Sequence, residues 1–271
     1  MDYQNYYEAN RRHWDESADI HVKSTTGVYR VDDFKKGADI LLPIEARELP
    51  DITGKRILHL QCHFGLDTLS LARRGARVTG VDFSPSAIGH ARALSEETGV
   101  PGTFVECNLY DARDHVDGLF DGVFVSWGAI CWLPDIPRWA EIIAEFLKPG
   151  GFFYMVEGHP AALALDEVEG RYVPSFDYFQ GSEPVAFDEA HTYTGDEDVL
   201  ENQRGYFWIH PLSRILNSLM AAGLAIEMFN EHDTLCWSLF PSMVDAGEGM
   251  LRLPDGVSGF PLSFSLKAVK A

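Results

Sequence analysis

The chain has 271 residues, a length that fits one or two domains with a large buried core. Apolar residues make up 46% of it and charged residues 23%, as in ordinary globular proteins, so a wholly disordered, collagenous or coiled-coil chain is excluded. Its 41 acids against 22 lysines and arginines leave a net charge of −19, which disfavours nucleic acid and anionic membrane surfaces as partners.

No apolar run approaches the roughly 18 residues that a membrane helix needs. The N-terminal stretch is polar and mixed in charge, without the apolar segment of a signal peptide, so we expect a cytoplasmic protein. The cysteines include no C-x-x-C pair, and their shortest spacing is 24 residues: Cys62, Cys107, Cys131 and Cys236. This pattern predicts neither a structural zinc site nor a disulfide framework, and no other cluster suggests a metal site.

The first 50 residues are predicted to form an N-terminal helical lid. Their helical part is too polar to form a core alone and therefore should lie over a larger body, although its aromatics also fit plain packing: Tyr3, Tyr6, Tyr7 and Trp14. Two prolines, Pro43 and Pro50, and the turn at 51–54 mark the entry to a new unit.

Residues 51–160 alternate strand and helix patterns. Strands are predicted at 56–60, 76–81, 103–107, 122–126 and 152–156, and helices at 65–74, from Ser84 onward and at 135–147. Residues 206–271 are predicted to complete the sheet with a helix at 211–222 and strands at 224–229 and 262–268. This alternation predicts a doubly wound, Rossmann-like α/β fold with a mainly parallel seven-stranded sheet.

Residues 161–205 interrupt this rhythm and are predicted to form an inserted cap. They hold eleven acids against two bases, with six aromatic residues interleaved. Acidic and aromatic walls favour a cation or an amine as ligand. The alternative is a solvated acidic surface, and a neutral aromatic hydroxyl compound also remains open as substrate.

The candidate ligand site follows from the fold, because parallel sheets bind ligands beyond the carboxyl ends of their strands. The first strand runs into Gln61-Cys-His-Phe-Gly65 and then a helix N-terminus with exposed amides. Asp82 ends the second strand, where a carboxylate can accept both hydroxyls of a ribose. Only Gly65 remains of a G-x-G-x-x-G pattern, so a nucleoside without phosphates fits better than a dinucleotide.

Residues 56–157 resemble class I S-adenosylmethionine-dependent methyltransferases. The first motif of that family maps onto His59–Gly65, and Asp82 matches its ribose-binding acid. In 105–111, Asn108 stands where the family usually has an adenine-binding Asp, and 120–126 and 147–151 match its fourth strand and the turn before the fifth. The QCHFG loop with Asp67-Thr68 also resembles a bacterial subgroup in which Cys131-Trp-Leu-Pro-Asp135 and His159-Pro160 recur.

The resemblance implies S-adenosylmethionine as cofactor and a set of contact residues: Gln61, His63, Gly65, Asp82, Phe83, Asn108, Leu109, Ser126 and Trp127. The chain departs from the family where His59 replaces an acid and Gln61 and His63 replace two glycines. Those two side chains are expected to bind the methionine carboxylate or amine, with loop packing as the alternative for His63. For Trp127 the alternative is an ordinary core residue.

Three residues are candidate catalytic groups. His159 follows the fifth strand and His210 begins a helix after the cap, and either imidazole would suit a general base, with packing as the alternative. Tyr29, together with His21, is expected to reach the pocket from the lid. The predicted function is methyl transfer to an oxygen or nitrogen of a small molecule, without a metal. The alternatives are a non-catalytic ligand-binding or regulatory protein of this fold and a nicotinamide-dependent oxidoreductase.

Overall fold

The structure, a computed structural model, describes residues 3–257 and 259–271. Its helices are α1 (Gln4–His21), α2 (Val31–Lys35), α3 (Pro43–Glu48), α4 (Leu66–Arg73), α5 (Pro85–Thr98), α6 (Ala112–His115), α7 (Ile136–Phe146), α8 (Pro160–Leu163) and α9 (Leu212–Ala221). Short 3₁₀ turns cover Leu109–Asp111 and Ile130–Trp132. None of the helices in these described residues is long and apolar enough to cross a membrane.

The strands fall into one large sheet and three small ones. In chain order they are β1 (Arg56–Leu60), β2 (Arg77–Asp82), β3 (Thr103–Glu106), β4 (Phe120–Val125), β5 (Leu147–Gly158), β6 (Leu165–Val168), β7 (Arg171–Pro174), β8 (Val185–Asp188), β9 (Arg204–Phe207), β10 (Leu224–His232), β11 (Thr234–Leu235), β12 (Val244–Gly247), β13 (Met250–Arg252) and β14 (Ser263–Lys270).

The large sheet has the order β10-β14-β5-β4-β1-β2-β3. Strands β1 to β5 run parallel, whereas β14 is antiparallel to both β5 and β10. The chain moves outward from β1 to β3 on one side and from β4 to β5 on the other, so the strand order reverses between β1 and β4. Ligands bind outside the carboxyl ends of strands at such a switch point. The predicted seven-stranded, Rossmann-like fold is confirmed.

The central strands are buried on both faces. Leu58 and Val123 belong to the cluster on one side of the sheet, and Ile57 and Phe124 to the cluster on the other. Such continuous apolar strands are typical of parallel sheets that are covered by helices on both sides. Helix α7 begins where Asp135 accepts a hydrogen bond from the backbone N of Arg138, and its apolar stripe packs into the first cluster.

Helix α1 is fastened over the carboxyl edge of the sheet. Asp15 accepts hydrogen bonds from the Ser84 hydroxyl (2.6 Å) and the Ser86 backbone N (3.3 Å) at the start of α5. A carboxylate there is favourable because a helix N-terminus carries partial positive charge. Nearer the N-terminus of α1, Asn10 exchanges two hydrogen bonds with the Tyr206 backbone in β9. The helix therefore lies beside the end of β2 and against the 161–205 region.

The region after β5 forms small sheets that the sequence patterns did not indicate in detail. Within the predicted cap, β6 pairs with β7, and β8 pairs with β9, which begins at the end of the cap. Residues 234–252 form a separate three-stranded sheet in the order β11-β13-β12. These strands have two to four residues, too few for an alternating pattern to show. A satellite core that includes Ala162, Leu235 and Phe240 joins the two regions.

Close packing between β4 and its neighbours predicts an asymmetric response to two glycine substitutions. A Cβ at Gly122 would lie 2.5 Å from the Phe152 ring and 2.8 Å from Ile57 Cδ1. We expect Gly122→Ala to lower the free energy of unfolding by about 1–3 kcal/mol. Gly89 lies exposed in α5 with nothing within 4 Å of an added Cβ, so Gly89→Ala should raise it by about 0.5–1 kcal/mol. Urea unfolding measures both, and equal effects would contradict this account of the β4 packing.

Candidate active site

The loop between β1 and α4 has three residues in the left-handed region. Gln61, His63 and Gly65 have φ angles of 57°, 51° and 76°. This conformation favours glycine, and the first two positions are those at which the resembled family carries glycines. The loop therefore keeps a glycine-type backbone while presenting two larger side chains. At Gly65 no side chain fits, since a Cβ would lie 2.7 Å from the Phe104 ring and 2.8 Å from Ala91.

The Gln61 and His63 side chains each have one nitrogen in a hydrogen bond and one polar atom without a hydrogen-bond partner among the described residues. Gln61 Nε2 donates to the Ala129 carbonyl at 2.7 Å, and His63 Nε2 lies 3.1 Å from His21 Nδ1. Gln61 Oε1 and His63 Nδ1 are buried and have no hydrogen-bond partner among the described residues. Buried polar atoms are normally paired. These two atoms are therefore suited to bind a polar group of a ligand.

Asp82 connects the end of β2 to the same loop. Its carboxylate accepts hydrogen bonds from the backbone N of His63 at 2.8 Å and of Ser84 at 3.0 Å. Burial raises the pKa of this carboxyl to about 6, against the opposing effect of the backbone N–H groups. A carboxylate offers about four lone-pair sites. Asp82 therefore retains capacity to accept hydroxyl groups of a ligand in addition to the two backbone donors.

The end of β3 supplies the other residues expected near an adenine. Asn108 Oδ1 accepts a hydrogen bond from the Tyr110 backbone N at 3.0 Å and so caps the 3₁₀ turn that begins at Leu109. The Leu109 side chain is buried, while Phe83, after β2, retains partial exposure. An apolar surface and an amide thus lie next to the Asp82 strand end, which suits a planar base.

At the end of β1, His59 occupies the position of the family's usual acid. Its Nδ1 lies 2.8 Å from Thr68 Oγ1 and its Nε2 lies 3.2 Å from Ser126 Oγ. Burial lowers the pKa of His59 to about 3, so the imidazole is neutral at pH 7. Ser126 in turn donates to Asp67 Oδ2 at 2.9 Å. A neutral bridge between β1, α4 and β4 therefore replaces the missing carboxylate.

Trp127, directly after β4, contacts an acid that sequence reasoning missed. Its Nε1 donates to Glu45 Oε1 at 3.2 Å, and the backbone N of Leu42 donates to the same oxygen at 2.8 Å. Burial, and then the charge of Asp67, raises the pKa of Glu45 to about 8. Glu45 lies in the 1–50 segment outside every recognisable motif. Its hydrogen bond from the Leu42 backbone N is only half of a capping box, because Leu42 has no side-chain acceptor, so the sequence carried no clear signal for it.

The candidate catalytic histidines are held in structural contacts. His159 Nδ1 accepts from the Ala161 backbone N at 3.1 Å, which caps α8, and its Nε2 lies 3.1 Å from Glu231. His210 Nε2 lies 2.7 Å from the Leu133 carbonyl, and burial lowers its pKa to about 4. Both imidazoles are almost fully buried. A catalytic role for either remains a prediction.

Tyr29, in contrast, lies against the candidate cofactor loop. Its ring stacks on His63 at 5.6 Å with an interplanar angle of 17°, and its hydroxyl is hydrogen-bonded to that of Tyr193 from the cap. The lid residues His21 and Trp14 also contact His63, at ring distances of 5.2 and 5.4 Å. The structure thus brings the lid, the cap and the loop together at one place.

Comparison with known proteins supports a methyltransferase domain. Residues 57–151 match the family described as a methyltransferase domain, which confirms the resemblance over that stretch. A ubiquinone biosynthesis O-methyltransferase of Xanthomonas euvesicatoria pv. vesicatoria (strain 85-10) is 34% identical over 125 residues, 45% of this chain and 52% of that protein. The chain therefore spans about half the length of the curated relatives it matches.

Solved structures show the same fold. An S-adenosylmethionine-dependent methyltransferase from Mesorhizobium loti superposes with a TM-score of 0.56 at 22% identity, covering 87% of this chain and 100% of that one. Another from Clostridium acetobutylicum ATCC 824 gives a TM-score of 0.54 at 13% identity, covering 80% and 84% of the two chains. At these identities the similarity establishes the architecture alone.

The raised pKa of Glu45 predicts a pH-dependent contribution to stability. An acid with a higher pKa in the folded than in the unfolded chain stabilises the fold fully below its unfolded pKa and loses that contribution as the pH rises through its folded pKa. For Glu45 this window runs from about 4.5 to about 8. We expect the unfolding free energy of the wild type, relative to Glu45→Gln, to fall across it. Urea unfolding of both proteins at pH 5 to 9 tests this, and a pH-independent difference would contradict it.

Proposed function

We propose that this chain is a class I S-adenosylmethionine-dependent methyltransferase and transfers a methyl group from that cofactor to an oxygen of a small molecule. The observation that carries the proposal is the left-handed loop at 61–65, tied by a hydrogen bond to Asp82 at the end of β2. Bound S-adenosylmethionine supplies the reactive methyl group, and the protein orients the two reactants. The O-methyltransferase named above supports oxygen over nitrogen as the acceptor atom.

The residues present fit this cofactor. Asp82 would accept the ribose hydroxyls, and the unpartnered Gln61 Oε1 and His63 Nδ1 would bind the polar methionine end. Asn108 and the apolar Leu109 would hold the adenine. Side chains at 61 and 63 take up room that a dinucleotide pyrophosphate requires, which argues against the nicotinamide-dependent oxidoreductase.

The lid and the cap are proposed to position the methyl acceptor beside the cofactor. Positioning an acceptor in line with the methyl group can supply on the order of 7–11 kcal/mol of the acceleration. Tyr29 supports such a positioning role, because its ring stacks on His63 in the candidate cofactor loop and its hydroxyl is hydrogen-bonded to that of Tyr193 from the cap. The acidic and aromatic cap supports an amine-bearing or aromatic acceptor.

We propose a cytoplasmic location, with which four free thiols are consistent.

Calorimetry and turnover together test the proposed function. Binding of S-adenosylmethionine but not NAD is expected and separates the oxidoreductase alternative. Cell extract incubated with the protein and methyl-labelled cofactor should yield a labelled small molecule by mass spectrometry. Cofactor binding without any labelled product would support the non-catalytic alternative instead.

Loss of the Asp82 carboxylate should weaken cofactor binding. A hydrogen bond to a charged group contributes roughly 1.5–3 kcal/mol, so Asp82→Ala should lower affinity for S-adenosylmethionine at least about tenfold. Asp82→Asn keeps one oxygen for the backbone donors and should lose less. Asp245→Ala, an exposed acid in β12, is the matched control. Calorimetry on variants with native circular dichroism gives the result, and unchanged affinity in Asp82→Ala would refute this role.

The N-terminal lid should become more protected when a ligand is bound. Helix α1 contacts the loop through Trp14 and His21, so a bound product holds both surfaces together. Hydrogen exchange should show slower exchange in residues 4–30 after addition of S-adenosylhomocysteine. Helix α7, packed in the core away from this loop, is the internal reference. If residues 4–30 gain no protection from exchange, their aromatic side chains serve only to pack the helix and the lid function is refuted.

A further inference from the structure

Two carboxyl groups lie at the carboxyl edge of the sheet without a positive partner. Glu45 is 1% exposed, and its Oε2 has no hydrogen-bond partner among the described residues. Asp67, in the first turn of α4, accepts a hydrogen bond from Ser126. Within residues 3–257 and 259–271, no lysine, arginine or histidine forms an ion pair with either carboxyl.

Uncompensated carboxyl groups in such surroundings favour a cation. Burial raises the pKa of Glu45 to about 8 and that of Asp67 to about 6, and the charge of Asp67 acts further on Glu45. The Glu45 charge also acts on Cys236 and Tyr154, neither of which carries a positive charge. An ammonium group placed here would satisfy the unpartnered oxygen and stabilise the ionised forms.

Aromatic side chains line the same place. Trp127, which donates to Glu45, packs edge-on against Trp237 at 6.3 Å. Burial raises the pKa of both the Tyr29 and the Tyr193 hydroxyl, and the nearby charge of Asp67 adds to this effect. All four aromatic residues keep accessible surface, Tyr193 as much as 43%. Aromatic faces attract ammonium groups through the cation–π interaction.

The sheet order separates this cluster from the ribose-binding acid. Asp82 ends β2, whereas Trp127 follows β4 and Trp237 packs against Gly158 at the end of β5. Neighbouring strands lie about 4.8 Å apart, so these strand ends are roughly 10 and 14 Å from that of β2. The loop at 61–65 lies between, at the end of β1. The cluster therefore occupies the side of the cofactor loop where an acceptor would bind.

We propose that Glu45 and Asp67 form an ammonium subsite of the acceptor site, so that the methyl acceptor is a small aromatic or aliphatic molecule carrying an amine. This inference rests on the proposed function, because it assigns one part of the acceptor. The amine anchors the molecule against the two carboxyl groups while its hydroxyl faces the cofactor loop.

Calorimetry with three matched phenols tests the subsite. Protein saturated with S-adenosylhomocysteine is titrated with tyramine, with neutral 4-propylphenol and with anionic 3-(4-hydroxyphenyl)propionate. We expect tyramine to bind at least tenfold more tightly than the other two. Glu45→Gln should reduce tyramine affinity to that of 4-propylphenol. Glu48→Gln, on the same helix but bonded to Tyr154 and Asn230, should not change it.

Proton release distinguishes the two sources of an ammonium group, the acceptor and the methionine end of the cofactor. Tyramine binding should release protons from Glu45 near pH 7, giving heats that differ between phosphate and Tris buffers, and Glu45→Gln should abolish that difference. Release on addition of S-adenosylhomocysteine, with none on addition of tyramine, would assign the pair to the cofactor and overturn the proposal.

Two further outcomes overturn it. Preferred binding of the anionic phenol, or no binding of tyramine to a complex that has bound S-adenosylhomocysteine, would contradict the subsite while leaving the proposed function intact. Failure to bind S-adenosylhomocysteine at all would instead refute the proposed function. If Glu45→Gln does not fold, Asp67→Asn replaces it, since an amide oxygen there still accepts from Ser126.

Discussion

The left-handed turn after β1 is the constraint on which the candidate site depends. Non-glycine residues in this conformation cost of order 1–3 kcal/mol each and persist only where their surroundings hold them. Here β2 holds them: Val81 accepts from the Cys62 backbone N at 2.9 Å, and Asp82 accepts from that of His63 at 2.8 Å. The same turn starts α4, aligns Asp82 and presents His63 to the lid. A change in the turn would therefore move all three.

Burial controls the chemistry of the residues around this turn. It raises the pKa values of Asp67 and Asp82 to about 6 and lowers that of His59 to about 3. Near pH 7 the imidazole is neutral while the two carboxyls are close to titrating. A desolvated site of this kind responds strongly to the charge of its ligand. Burial also explains how His59 can replace an acid. A neutral imidazole that bridges the Thr68 and Ser126 hydroxyls avoids the free-energy cost of another buried charge.

The sequence was sufficient for the large sheet, because most of its strands are apolar runs that alternate with helices. The ends of β1 and β2 followed from the same pattern, and with them the loop at 61–65 and Asp82. Contacts between segments that are distant in sequence could not be predicted from such a pattern. Glu45 contacts Trp127 across 82 residues of sequence. For His159 the sequence left a general base and a packing residue open, and only the structure shows that Ala161 and Glu231 contact its two nitrogens. The strands β11 to β13 were too short for a periodic signal.

The two sides of the candidate site come from different parts of the chain. The residues proposed to bind the cofactor lie within residues 57–151, the stretch that matches the methyltransferase domain. The residues of the proposed acceptor side, namely Glu45, Tyr29, Tyr193 and Trp237, all come from outside that stretch, from the lid, the cap and the segment after β11. The chemistry of the donor is therefore encoded in the part shared with relatives. Under the proposed function, the choice of acceptor would depend on segments outside the matched stretch.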